Sequence, residues 1–154
     1  MTPAAIQRRI AAFLIDQVLL FGVVIGLSLA LGVNRGDVGS DSGAVAAVGL
    51  VGIAVAIAYH SVAVARFGRT VGKQLMGLRV VALPEGRQVL WSYAALRALV
   101  PAAVVLLPVV GSVAGLAVYL WAVFDPRRQG LHDKLAGTMV VPAVTTTLEP
   151  PSST

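Results

Sequence analysis

The stretch IAAFLIDQVLLFGVVIGLSLAL, residues 10–31, carries a single charge, Asp16. At about 1.5 Å per helical residue, roughly 20 such residues cross the hydrocarbon core of a bilayer. This run therefore predicts a membrane span, and it decides the class of fold. Residues 44–65, AVAAVGLVGIAVAIAYHSVAVA, predict a second span, with Tyr59 and His60 near the end where an amphipathic ring and a polar side chain reach the interface. Between the two, residues 32–43 read GVNRGDVGSDSG and form a short polar loop. Composition agrees, since 57% of the 154 residues are apolar and 12% are charged, whereas a soluble domain keeps about 25% charged residues to cover its surface.

Charge then sets the topology. Arg66, Arg69, Lys73, Arg79, Arg87 and Arg97 face only Glu85 over residues 66–97, the bias expected of a cytoplasmic loop. With Arg8 and Arg9 also inside, the N-terminus is expected in the cytoplasm. Residues 10–31 are read as a retained span, because Asp16 interrupts the run and further apolar segments follow. Residues 78–83 are β-prone, 84–87 have the Pro and Gly spacing of a tight turn, and 89–91 are expected to return, making a small cytoplasmic β-hairpin. Residues 98–124 are uncharged but broken by Pro101, Pro108 and Gly111. Arg127, Arg128 and Lys134 follow, so an even number of crossings is preferred, and the stretch is read as a kinked helical hairpin of two short arms.

The expected fold is thus an all-α membrane protein: a bundle of about four membrane-embedded helices, two full spans plus the kinked hairpin, with the β-hairpin on the cytoplasmic side. Residues 1–142 make the membrane domain, and residues 143–154, rich in Thr, Pro and Ser, a disordered tail. The location is an inner cell membrane, with both termini cytoplasmic.

Few residues offer chemistry. The chain has no cysteine, so thiolate metal sites and cysteine nucleophiles are excluded. The net charge of +5 sits beside apolar runs without a basic-aromatic stripe, which points to topology and away from nucleic acid. Neither His60-Ser61 nor His132-Asp133 supplies the spaced nucleophile, base and orienting group of hydrolysis, and two histidines without clustered carboxylates do not suggest a transition metal. No catalytic, cofactor or metal residues are expected, and the chain is read as a non-enzyme. Gly68-Arg-Thr-Val-Gly72-Lys73 differs from a phosphate loop in having three residues between its glycines and Gln74 after the lysine, so nucleotide binding is rejected. Gly22-x-x-x-Gly26 and Gly111-x-x-x-Gly115 are read as intrachain packing faces in preference to dimer contacts. Asp16 must find a partner or a proton, because an ionised carboxylate in hydrocarbon costs several kcal/mol, on the order of 3 by insertion scales. Arg9 lies two turns away, and the expected partner is Arg97.

Three separated motifs resemble one family. Arg9-Ile-Ala-Ala-Phe-Leu-Ile-Asp16, then Gly68-Arg-Thr-Val-Gly-Lys73-Gln-Leu-Met-Gly-Leu-Arg-Val-Val81, then Leu131-His-Asp133-Lys-Leu-Ala-Gly137-Thr138 together look like the RDD family of membrane proteins. By that resemblance the naming residues are Arg9, Asp16 and Asp133, and Gly68, Thr70, Gly72, Lys73, Gly137 and Thr138 are motif positions. It adds weight to Asp133, whose carboxylate is expected to meet Arg9 or Arg8, so that the naming residues form one polar cluster that latches the C-terminal segment or lines a vestibule toward Asp16.

Two functions follow. In the first, Asp16 handles a cation, proton or small solute in transport, and four short segments imply a homo-oligomer. In the second, the protein is an accessory scaffold whose basic loop binds a protein partner or anionic lipid of the surrounding bilayer.

Overall fold

The computed structural model describes residues 2–30, 42–106 and 111–143. Helix α1 spans Ile6–Ala30 and α2 Ser42–Phe67; among the described residues these two are long and apolar enough to cross a membrane. They run antiparallel, because Tyr59 meets Asp16 near one end while Gly52 faces Val24 toward the other. Their outer faces stay bare, with Val18 74% and Phe21 68% exposed, as suits helices solvated by lipid. Gly22 and Gly26 are exposed too, and a methyl group on either would touch nothing within 4 Å. The expectation that this small-residue face packs within the chain is therefore corrected: it points outward. The polar loop at 32–43 and the tail at 143–154 lie almost wholly outside the described residues, as does Pro108.

After α2 come a short helix, α3 (Val71–Leu75), strand β1 (Leu78–Ala82), α4 (Trp91–Val105), α5 (Gly111–Leu120) with a 3-10 turn at Trp121–Val123, a short helix α6 (Leu131–Leu135) and strand β2 (Thr138–Pro142). The helices α4 and α5 pack on each other, with Pro101 inside α4. They stand where the kinked hairpin was expected, and their 15 and 10 residues are below an ordinary span.

The expected β-hairpin does not form. Strand β1 instead pairs antiparallel with β2, from Leu78 opposite Pro142 to Ala82 opposite Thr138, and residues 84–91 contribute only an isolated bridge between Ala82 and Arg87. The reason lies in the next residue. The Gln88 amide donates to the Ala65 carbonyl (2.6 Å) and the Arg66 carbonyl (3.1 Å), acceptors in the last turn of α2, and this draws the chain away from β1. The other edge of β1 is met by the Gly68 carbonyl, which accepts from Val80 N–H at 2.7 Å.

The two strands belong to matching units. Each follows a five-residue helix and a left-handed glycine, Gly77 at φ +64° and Gly137 at φ +57°, at the same spacing. Space does not demand glycine there, since a Cβ would meet nothing, but the turn from helix to strand requires positive φ. The pair of units builds the core at one end of the bundle, where Leu78, Val80, Val89 and Val140 pack with Ala12, Val64 and Ala94. The segment before α1 joins it, because Ala4 N–H donates to the Val140 carbonyl at 3.0 Å.

Candidate functional site: a polar chamber at the end of the bundle

Two buried aspartates organise this end. Asp16 is 1% exposed, and its carboxylate accepts from Tyr59 O–H (2.7 Å), Thr70 O–H (2.5 Å) and Gly72 N–H (2.8 Å). All three donors are neutral. The Gly68–Lys73 element is shaped for this contact. Gly68, at φ +67°, turns the chain after α2, and Thr70 caps α3 by accepting from Lys73 N–H at 3.3 Å. Gly72 then lies directly on α1, where a Cβ would overlap the Ala12 carbonyl oxygen and sit 3.0 Å from Asp16 Cγ. The glycine thus serves helix-to-helix approach, consistent with the rejection of a phosphate loop.

Asp133 is 0% exposed and takes the cations. Arg9 Nη2 reaches its Oδ2 at 2.5 Å, Arg97 Nη1 binds its Oδ1, and Gly130 N–H donates to Oδ2 at 3.1 Å. Arg9 also donates to the Arg128 carbonyl, and Arg97 to Thr138 Oγ1 at 3.0 Å. Burial works against the Asp133 carboxylate, but the adjacent Arg97 guanidinium, reinforced by Arg9, holds its pKa well below the usual carboxylate range. Of the partners expected for Asp133, Arg9 is the one it meets. The expected Asp16–Arg97 contact is corrected: Arg97 pairs with Asp133, and neutral donors already occupy both oxygens of Asp16. The naming residues thus divide into an Arg9–Asp133–Arg97 clasp and a separately bonded Asp16.

Both sides of this division border one cavity of about 240 Å³, whose polar lining is Arg9, Asp16, His60, Lys73, Arg97 and His132. Three cations stand against Asp16 and Asp133, leaving one positive charge in excess. Lys73 Nζ has a long 3.4 Å contact with Thr70 Oγ1, and burial, with Arg97 nearby, pushes its pKa down to about 8. His132 is 3% exposed, and its Nδ1 has no partner among the described residues. Burial pulls its pKa down to about 3, so the ring is neutral at pH 7. Its ring centroid lies 4.6 Å from that of Tyr119, with the planes tilted by 53°.

Sequence reasoning assigned Tyr59 to the interface and passed over Asp125 and Gln129. A tyrosine within an apolar run needs a partner for its hydroxyl, and that was the available signal for Tyr59. Asp125 accepts from Arg127 N–H and Gln129 N–H, both at 3.0 Å, and pairs with Lys134 Nζ at 2.6 Å. An Asp-Pro pair closing an apolar run marks such a turn. Gln129 in turn donates to the Thr138 carbonyl at 2.7 Å, tying the turn to β2.

Two apolar helices able to span a bilayer, and a sheet-braced polar end that encloses paired charges, define a small helical membrane protein. Residues 3–137 match the model of the RDD family, and the chain belongs to that family. It is 30% identical over 87 residues to a Bacillus subtilis (strain 168) protein described as "Uncharacterized membrane protein YteJ", a match covering 56% of this chain and 48% of that relative. The chain thus spans about half of the relative's length. No solved structure matches it.

Proposed function

We propose that this RDD membrane protein binds a small anionic solute in the polar chamber and carries it across or within the membrane. The observation behind this reading is the chamber's charge: Arg9, Lys73 and Arg97 line it against Asp16, with Asp133, outside the lining, pairing the two arginines, and among the described residues Lys73 Nζ makes one long hydrogen bond. A cation site would need convergent oxygen acceptors. The Asp16 oxygens instead receive three hydrogen bonds, and a cation placed there would sit beside Lys73 and Arg97. Of the cation and the small solute expected from the sequence, the geometry thus favours a solute bearing negative charge. The chamber residues serve binding and orientation in this reading, which is one of carriage. In this reading the basic end faces the cytoplasm of an inner membrane, by the positive-inside rule.

The test is thermal unfolding in a neutral detergent, followed by tryptophan fluorescence, with inorganic phosphate or sulfate compared against sodium, potassium and lithium at matched ionic strength. A ligand at about ten times its Kd stabilises by roughly 1.4 kcal/mol, a rise of about 3–6 °C for a chain of this size. The anions are expected to produce it, and Lys73→Gln to remove it. Stabilisation by an alkali cation, lost in Asp16→Asn and indifferent to anions, would overturn the reading.

A further inference from the structure

The chamber is half apolar. Opposite its charges stand Ile6, Ile10, Leu14, Leu120 and Val123, and of these Leu14 is 56% and Leu120 50% exposed, so the wall reaches the outer, lipid-facing surface. A second cavity, of about 560 Å³, lies along α1, α2 and α4 and is lined by residues such as Val24, Ile53, Ala56 and Val105. The two cavities share Phe13, His60, Ala98 and Tyr119, so they abut across these four side chains. A free inorganic anion has no use for such walls. Alone, the polar chamber is smaller than the roughly 300–1,000 Å³ of ordinary ligand sites, whereas the larger cavity falls within that range.

We infer that the solute is an anionic amphiphile, with its head group between Lys73, Arg97 and His132 and its hydrocarbon tail along the apolar cavity bordered by α1, α2 and α4. This rests on the reading of the chamber as an anion site. A carboxylate head balances the single excess positive charge, and a phosphate monoester, at about −1.5 to −2 near pH 7, more than balances it. Among the described residues Lys73 Nζ makes one long contact, to Thr70 Oγ1 at 3.4 Å, and so has donors to supply. The His132 ring borders the same cavity, with its Nε2 3.4 Å from Asp133 Oδ1 and its Nδ1 against Gly130. Beyond the shared Tyr119 and His60, the tail meets walls that are apolar except for Gln17. Access runs sideways from the bilayer, past the exposed wall of Leu14 and Leu120.

The experiment separates head from tail. The protein in dodecyl maltoside, whose tail is the same length but whose head is neutral, is titrated with monododecyl phosphate and, separately, with inorganic phosphate while unfolding is followed. Monododecyl phosphate is expected to give half its maximal stabilisation at a concentration at least tenfold lower, a difference of about 1.4 kcal/mol. Lys73→Gln should raise both half-points at least tenfold. Ala56→Trp, which fills the apolar cavity, should raise only that of monododecyl phosphate. Equal half-points for the two probes would overturn the amphiphile while leaving the anion site in place, and no response to either would remove both. Stabilisation by monododecyl phosphate that neither variant alters would place the surfactant elsewhere and also refute the proposal. The unliganded melting temperature of each variant, within about 3 °C of the parent, establishes that it folds.

Discussion

Gly72→Ala is the sharpest test of how α3 is held on α1. The added methyl would overlap the Ala12 carbonyl oxygen and press within 3.0 Å of Asp16 Cγ, so α3 must move outward. Overpacking of this kind costs about 1–3 kcal/mol. Moving α3 also stretches the 2.8 Å bond from Gly72 N–H to the Asp16 carboxylate, and a hydrogen bond to a charged group is worth about 1.5–3 kcal/mol. Against this, alanine gains up to about 1 kcal/mol of helix propensity. The net expectation is a loss of about 3 kcal/mol, a fall of roughly 6–12 °C in melting temperature for a chain of this size. The assay is thermal unfolding in mild detergent followed by tryptophan fluorescence. Gly26→Ala is the control: its methyl touches nothing, so propensity alone should leave the protein unchanged or more stable by about 0.5–1 kcal/mol. If Gly72→Ala melts within about 2 °C of the parent, the close approach of α3 to α1 is wrong, and with it the account of why the motif has glycine there.

Three further outcomes follow from the same geometry. Asp16→Asn keeps the shape but removes charge assistance from three hydrogen bonds, each worth about 1 kcal/mol less when neutral, so stability in the unfolding assay should fall by about 2–4 kcal/mol; an unchanged midpoint would mean Asp16 is not the acceptor described. Asp133→Asn leaves Arg9 and Arg97 buried without their counter-ion and should cost about 3–5 kcal/mol, more than the surface substitution Glu85→Gln, whose partner Arg87 is exposed. Acidification supplies the third. The folded state holds His132 neutral down to about pH 3, whereas in the unfolded chain it takes a proton near its ordinary value of 6.5, so its contribution is present above pH 6.5 and is lost as pH falls below it, at about 1.4 kcal/mol per unit. Unfolding midpoints measured between pH 7 and 4.5 should show a slope that His132→Gln reduces by one proton, and an identical slope in the variant would refute the assignment.

The long helices were legible because an apolar run of span length has few other solutions, and α1 and α2 follow the two runs read from composition and charge. The Arg9–Asp133 contact was also within reach, through the family motifs. Strand pairing was not. Residues 78–82 have the same β-branched character whether their partner lies nearby or 56 residues on, and the choice turned on Gln88, an unremarkable polar residue until the carbonyls it caps are seen. The Asp16 partner failed for a related reason. Pairing it with Arg97 assumed that a buried carboxylate seeks a cation, but backbone and hydroxyl donors satisfied it first, and two of them, Thr70 O–H and Gly72 N–H, arrive only when Gly72 lets α3 lie against α1. Tyr59 was placed at the interface because its sequence position is near a helix end, while its hydroxyl turns inward.

The clasp at Asp133 also has an order in time. Arg9 precedes that aspartate by 124 residues and Arg97 by 36, so a chain made from its N-terminus carries both guanidiniums before the carboxylate that neutralises them exists. Only when the carboxylate emerges are they drawn together and shielded. One late residue thus fastens two arginines that the growing chain carries unpaired until it is made.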